Sequence, residues 1–356
     1  MSSSDVGKGG LHGERPGREA RVGQTVGGDP EKSTAPAPAA GAPRRRGKRR
    51  GRRGEQLMVP DAEFGSYYGR PVIKAPTWAP LDIAGYFFLG GLAGAGSALA
   101  AGAELTGRPG MARALKVSSI AAISGSGVAL VHDLGRPERF YNMLRVFRPT
   151  SPMSVGSWLL SAYAPAAGAA AALDLTRRMP RIGRAATAGA ALLGPAVAAY
   201  TAVLATNTAV PAWHDGYREM PYVFTGSATI AAAGMALITA PVVENGPAVG
   251  AAVLGTALET TAVKAMEHRL GMIAEPYRSG RGGRFMRAAQ ALSLAGATGA
   301  TLFARRSRTA AVLSGAALLA ASACTRFGVF YAGTASANDP KYTVAPQREH
   351  ENAGTR

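Results

Sequence analysis

The sequence predicts an all-α, polytopic integral membrane protein: eight transmembrane helices behind a disordered, basic N-terminal tail. Three observations carry that reading. Apolar runs separated by short polar connectors recur from Leu81 almost to the C-terminus. Charged residues make up only 17% of the 356, although Lys and Arg (40) far outnumber Asp and Glu (22). The 46 glycines, with abundant alanine, suit close helix packing in lipid, where no hydrophobic drive pushes helices together. A single cysteine, Cys324, excludes a disulfide framework, a cysteine-ligated iron–sulfur cluster and a cysteine-rich zinc site.

Residues 1–63 form the tail. Gly, Pro, Ala, Ser and charge crowd out the large apolar side chains that a core would need. It carries the run Arg44-Arg45-Arg46-Gly47-Lys48-Arg49-Arg50-Gly51-Arg52-Arg53. The next apolar stretch lies too far away for a secretory or twin-arginine signal. The run reads as a positive-inside anchor beside the first helix and not as a nucleic-acid site, so no nucleic-acid partner is expected. The membrane domain is expected over 64–344, with a short C-terminal tail at 345–356.

The candidate spans are 81–103, 114–131, 155–173, 185–208, 223–243, 247–263, 288–304 and 309–324. Several are a little shorter than the ~20 residues a spanning helix needs, and apolar flanks can lengthen them. The cluster Gly90-Gly91-Leu92-Ala93-Gly94-Ala95-Gly96 superficially matches a dinucleotide fingerprint, but no strand precedes it, so it belongs to a helix.

Eight spans place both termini on one side. The segments on that side hold more Lys and Arg than the opposite connectors, so the termini are expected in the cytoplasm and the protein in the cell membrane. The long, chemically varied segments share this side: His132 onward, 209–222, 264–287 and the tail from Thr325. Arg139, Arg145, Arg148, Trp213, His214 and Arg326 lie there and are expected to dock a partner, because loops on a rigid scaffold tend to carry function.

The five histidines do not suit haem or metal. None lies within a candidate span between its ends, and there is no HExxH. No GxSxG elbow supports a hydrolase. No catalytic residue, metal ligand or intrinsic cofactor is therefore expected. What remain are polar groups at the ends of apolar spans. Asp82 and Tyr86 share a helix face by their spacing. His132 and Asp133 end the second span, Tyr200 and Asn207 lie toward the end of the fourth, and Glu259 lies within the sixth. Ionisable groups inside a span are functional candidates by default. Helix capping is the competing role for Asp82, and a plain interhelical hydrogen bond the competing role for Glu259.

Several stretches resemble the NrfD/polysulfide-reductase membrane-subunit family. They include Ser66-Tyr67-Tyr68-Gly69-Arg70-Pro71, Asp133-Leu134-Gly135-Arg136-Pro137-Glu138-Arg139-Phe140 and Arg148-Pro149-Thr150-Ser151-Pro152-Met153-Ser154. The resemblance implies two four-helix bundles and a subunit that reacts with quinone or quinol (menaquinone or ubiquinone) as substrate. It implies a ferredoxin-like, four-cluster iron–sulfur partner and a molybdenum catalytic subunit beyond it. Asp82, Tyr86 and Tyr200 occupy what look like the family's quinone-pocket positions, although some members carry Asn and His on the first helix. With them His132, Asp133, Arg136 and Asn207 are expected to bind quinone, and Glu259 to relay protons. The alternatives are a secondary transporter, against which the polar groups gather at one face and not at the midplane, and an inert membrane tether.

Overall fold

The structure, a computed structural model, describes residues 71–74, 76–133 and 137–346. The expected tail at 1–63, the Ser66–Arg70 part of the motif, Arg136 and the chain from 347 lie outside the described residues, as does the side chain of Arg139.

Among the described residues the chain is helical throughout, with no strand. Eight helices are long: α1 (Pro80–Leu105), α2 (Pro109–Asp133), α3 (Pro152–Thr176), α4 (Pro180–Thr206), α5 (Met220–Thr239), α6 (Gly246–Leu270), α7 (Gly280–Phe303) and α8 (Arg308–Asn338). Prolines set most of the starts. Pro80, Pro109, Pro152, Pro180, Pro221 and Pro247 each stand in the first two positions of a helix, where the missing N–H has no partner to lose. Ser151 and Ser307 cap α3 and α8 by accepting from the amides of Ser154 and Ala310.

Five of these helices, α1, α2, α4, α5 and α8, are long and apolar enough to cross a membrane by length and composition. The other three are as long but fall short of that apolar character over a spanning length. α3 is diluted by small residues, α6 carries Glu259, Lys264 and Glu267, and α7 opens with Arg281, Arg284 and Arg287.

The helices outrun the apolar runs. α6 continues to Leu270 and α7 starts at Gly280, so most of the expected 264–287 loop is helix. α8 continues to Asn338, which takes Arg326 and Phe330 out of the expected tail and into a buried helix. Hydropathy marks where lipid-compatible side chains stop, whereas backbone hydrogen bonding continues until a proline, a glycine or a cap stops it.

Packing divides the helices into two four-membered rings. In the first, α1 contacts α2 and α4, and α3 contacts both of those. The second repeats the arrangement: α5 contacts α6 and α8, and α7 contacts both. α1 and α5 form most of the seam between the rings, with α4 and α8 flanking. Glycines set the closest approaches. A Cβ on Gly94 of α1 would meet the Gly194 carbonyl of α4, and one on Gly234 of α5 would lie 2.6 Å from the Gly315 carbonyl of α8.

Connections are short at one end, Thr106–Arg108, Arg177–Met179 and 304–307, and longer at the other. The longer ones share an end with the start of α1 and the finish of α8, here the terminal end. Contacts tie that end together: Trp78 stacks on Trp213 at 5.5 Å, and Trp213 packs on Phe330.

Candidate functional site

At the terminal end of the first ring two polar pairs follow each other along α1. Asp82, in the first turn, is partly exposed. Its Oδ2 accepts from Nδ1 of His132, at 2.9 Å, at the end of α2. Capping is not its role, because Ala79 holds the cap position and no side chain caps it. One turn deeper the Tyr86 side chain is 1% exposed, and its hydroxyl hydrogen-bonds the hydroxyl of half-buried Tyr200 from α4. The two rings stand edge to face, with centroids 6.5 Å apart. Ser126 of α2 donates to the Tyr86 carbonyl at 3.2 Å, which fixes the α1–α2 register at this level.

Of the other expected pocket residues, Asp133 is engaged with the backbone. Its Oδ1 accepts from the Ala79 amide at 3.3 Å and holds the entry to α1 against the end of α2. Asn207 caps α4 and is exposed. The spacing of Asp82 and Tyr86 therefore does place them on one side of α1, and the fold brings a histidine to one and a tyrosine to the other.

The expected docking residues divide. Arg145, Arg148 and His214 are exposed at the terminal end, and His214 Nδ1 donates to the Thr206 carbonyl at 3.2 Å. Trp213 and Arg326 are corrected. Trp213 is 1% exposed, and its indole N–H donates to the Val329 carbonyl at 2.8 Å. It clamps the α4–α5 connection onto α8. Tyr277 helps by donating to the Ala212 carbonyl at 2.9 Å, and burial pushes its phenol well above the usual range.

Arg326 is fully buried where the two rings meet. Its Nη2 donates to the Phe224 carbonyl of α5 at 2.8 Å, and its guanidinium lies 3.9 Å from the centroid of the Phe224 ring. It also reaches toward α1, since a Cβ on Gly91 would lie 3.0 Å from that nitrogen. Among the described residues Nε and Nη1 have no hydrogen-bond partner. The neighbouring Thr325 donates to Oε1 of buried Glu259 at 2.6 Å. Glu259 and Arg326 thus form a second polar cluster, around the α5–α6–α8 contact. A cavity of about 260 Å³ between α6 and α7 leads to Glu259 and Thr325.

The sequence places Glu259 inside a span, whereas it places Arg326 at the docking face and not beside Glu259 inside the bundle. The signal was present: one arginine among small and aromatic residues just past Cys324, where a span ended four residues further on would have flagged an intramembrane charge.

Chemically, the first cluster offers two hydroxyls and a carboxylate–imidazole pair that can donate, accept or pass a proton beside apolar walls. No group of three or more histidine, cysteine or acidic side chains disposed to hold a metal occurs among the described residues.

A family model described as polysulphide reductase, NrfD, matches residues 76–253. That stretch runs from the approach to α1 into α6. It contains the whole Asp82, Tyr86, His132 and Tyr200 cluster but stops short of Glu259 and Arg326. No curated protein matches the chain.

Proposed function

The chain belongs to the NrfD polysulphide reductase family, and from that premise we propose that it is the quinone-reactive membrane subunit of a molybdenum oxidoreductase complex. It passes electrons between a quinone or quinol pool and a ferredoxin-like iron–sulfur subunit, which connects in turn to the molybdenum catalytic subunit. Eight helices spanning the cell membrane, with both termini in the cytoplasm, complete this reading, with the membrane domain over 64–344. The observation that carries it is the stacking of Asp82–His132 and Tyr86–Tyr200 on neighbouring turns of α1, inside the matched stretch.

Reducing a quinone to a quinol takes two electrons and two protons, one proton for each carbonyl oxygen. The electrons come from the partner's nearest cluster, so this chain needs no redox centre of its own. Its part is to hold the headgroup and move protons. A tyrosine hydroxyl beside a carbonyl oxygen can donate a hydrogen bond, then a proton, and be recharged by its neighbour. The Asp82–His132 pair lies one turn closer to water and suits the exchange with solvent. Glu259 is a proton relay at the end of the second cavity. Arg145, Arg148 and His214, with Arg139 beside them in sequence, offer a basic surface for the iron–sulfur partner at the same end.

The test is to purify the protein with its native partners. Copurifying iron and molybdenum, together with quinone-dependent turnover, support the proposal. A complex that turns over artificial dyes but never quinone leaves the chain a tether. A solitary polypeptide that moves a solute overturns the proposal.

A further inference from the structure

The cleft between α6 and α7 at the terminal end has Glu259 at its inner end, and its mouth carries an arrangement that the proposed quinone chemistry does not use. α6 and α7 touch each other less extensively than α5 and α6 or α7 and α8 do, which leaves the cleft open. Its mouth carries Lys264 on α6 and Arg287 on α7, both exposed. At about 1.5 Å of rise per residue, both sit roughly 10 Å inside their helix ends, at matched depth. Among the described residues neither forms an ion pair, although Glu267 lines the same cleft. Glu267 is taken by Arg278 at 3.0 Å, Arg287 Nη1 donates to the Arg278 carbonyl, and Glu259 at the bottom is held by Thr325. Among the described residues Lys264 has no ion-pair partner.

Below these cations the walls change character along the helix. Gln290 and Thr260 form a polar ledge. One or two turns further in, the same faces present exposed apolar side chains: Ala257 and Val253 on α6, Leu294 on α7. The order is two cations, then neutral polar groups, then apolar surface facing outward. That sequence matches an anionic glycerophospholipid read from phosphate through ester to acyl chain. A soluble anion would need only the first layer.

We propose that the α6–α7 cleft is a binding site for an anionic phospholipid, whose phosphate sits between Lys264 and Arg287 and whose acyl chains run down past Leu294 and Val253. Basic pockets between membrane helices are suited to anionic headgroups, and each Lys or Arg near such a surface contributes roughly 1 kcal/mol, which is about fivefold in affinity. A bound lipid would fill the least packed seam of the second ring and bridge α6 to α7. The proposal is independent of quinone reactivity, so either can fail alone.

The experiment uses the full chain, with any subunits that copurify, in detergent. Dioleoylphosphatidylglycerol and dioleoylphosphatidylcholine are titrated in parallel and bound lipid is counted by native mass spectrometry. The wild type is expected to prefer phosphatidylglycerol by about twenty-fivefold, as two charges at that strength imply. Lys264→Gln with Arg287→Gln should bring the two lipids to parity. Arg305→Gln with Arg306→Gln, exposed at the other end, should leave the preference intact. If the first double variant does not stay monodisperse, Lys264→Gln alone should show a drop of about fivefold. Equal binding of both lipids by the wild type, a preference that survives loss of both cations, or displacement of the lipid by equimolar inorganic phosphate would each overturn the proposal.

Discussion

Nδ1 of His132 lies 2.9 Å from Oδ2 of Asp82, which joins the last turn of α2 to the first turn of α1. The histidine side chain is 76% exposed and the aspartate side chain 20%, so the pair connects solvent to a partly enclosed carboxylate. Asp82→Ala breaks that connection without touching the buried tyrosines. Quinone-coupled turnover is expected to fall by about tenfold or more, since a positioned proton-transfer group typically contributes 10²–10⁴-fold. Artificial-dye activity of the soluble partner should be unchanged. Equal losses in both assays would mean that the substitution damaged assembly.

The hydroxyls of Tyr86 and Tyr200 are the inner step. Tyr86→Phe and Tyr200→Phe each remove one oxygen and keep the ring, so packing against Phe87 and α4 is preserved. Each is expected to cost about 0.5–1.5 kcal/mol of hydrogen-bond stability at most, yet to lower quinone turnover by roughly tenfold or more. The pair acts together, so the double variant should be little worse than the more severe single one. Multiplying losses would indicate two independent roles.

How far this was legible in the sequence depends on what each residue type reveals locally. Asp82 and Tyr86 are on one element, so their shared face follows from helical spacing. Their partners come from α2 and α4, and nothing in the chain says that His132 stops level with Asp82 or that Tyr200 stops level with Tyr86. The number of long helices and the gathering of varied loops at one end were readable from apolar runs. The ring pairing, with α1 against α4 and α5 against α8, was not, because it is set by Gly94 meeting Gly194 and Gly234 meeting Gly315 across the chain. The sequence alone places Trp213 and Arg326 at the docking surface, because aromatic and charged residues outside an apolar run look solvent-facing. Each is buried because the fold supplies a carbonyl partner, Val329 for one and Phe224 for the other.

The glycine contacts can be tested with one chemical change at two places. A Cβ at Gly94 has only backbone in front of it, the Gly194 carbonyl and the Ala198 nitrogen at 3.1 Å. Gly102, on the same helix, has nothing within 4 Å. Gly94→Ala should destabilise by about 1–3 kcal/mol, the usual cost of overpacking. Gly102→Ala should be neutral or stabilise by up to about 1 kcal/mol through helix propensity. Thermal unfolding in detergent measures both. The prediction fails if the two variants shift in the same direction by the same amount.

Glu219, just before α5, bonds Arg269 at the end of α6. The guanidinium holds its carboxyl below the usual carboxylate range, through the hydrogen bond first and the charge second. A carboxyl lowered in the folded state adds stability above its unfolded pKa, near 4.3, and loses it as pH falls through the folded value. Glu219→Gln should therefore lower the melting temperature at pH 7 by an amount equivalent to about 1 kcal/mol or less, as near-surface pairs do. The gap to wild type should close as the pH drops below about 4. A gap that stays constant down to acid pH would assign the effect to packing and not to the ion pair.

Glu259 separates a structural carboxylate from a proton-carrying one. It is 5% exposed, accepts from Thr325 at 2.6 Å and stands at the end of the α6–α7 cavity. Glu259→Gln keeps the shape and can still accept that hydrogen bond through its amide oxygen, but it cannot release a proton. Thr325→Val does the converse, removing the donor while the carboxyl remains. If Glu259 relays protons to the quinone site, the glutamine variant should assemble normally and lose about tenfold or more of quinone turnover. The valine variant should lose stability by about 1–3 kcal/mol, the usual result of leaving a buried acceptor unsatisfied, and keep most of its turnover. The reverse pattern, a silent glutamine and an inactive valine, would make Glu259 a bracket between α6 and α8. Proton passage would then have to rest on Asp82 and His132 alone, which is the reason to measure both sites in the same assembled complex.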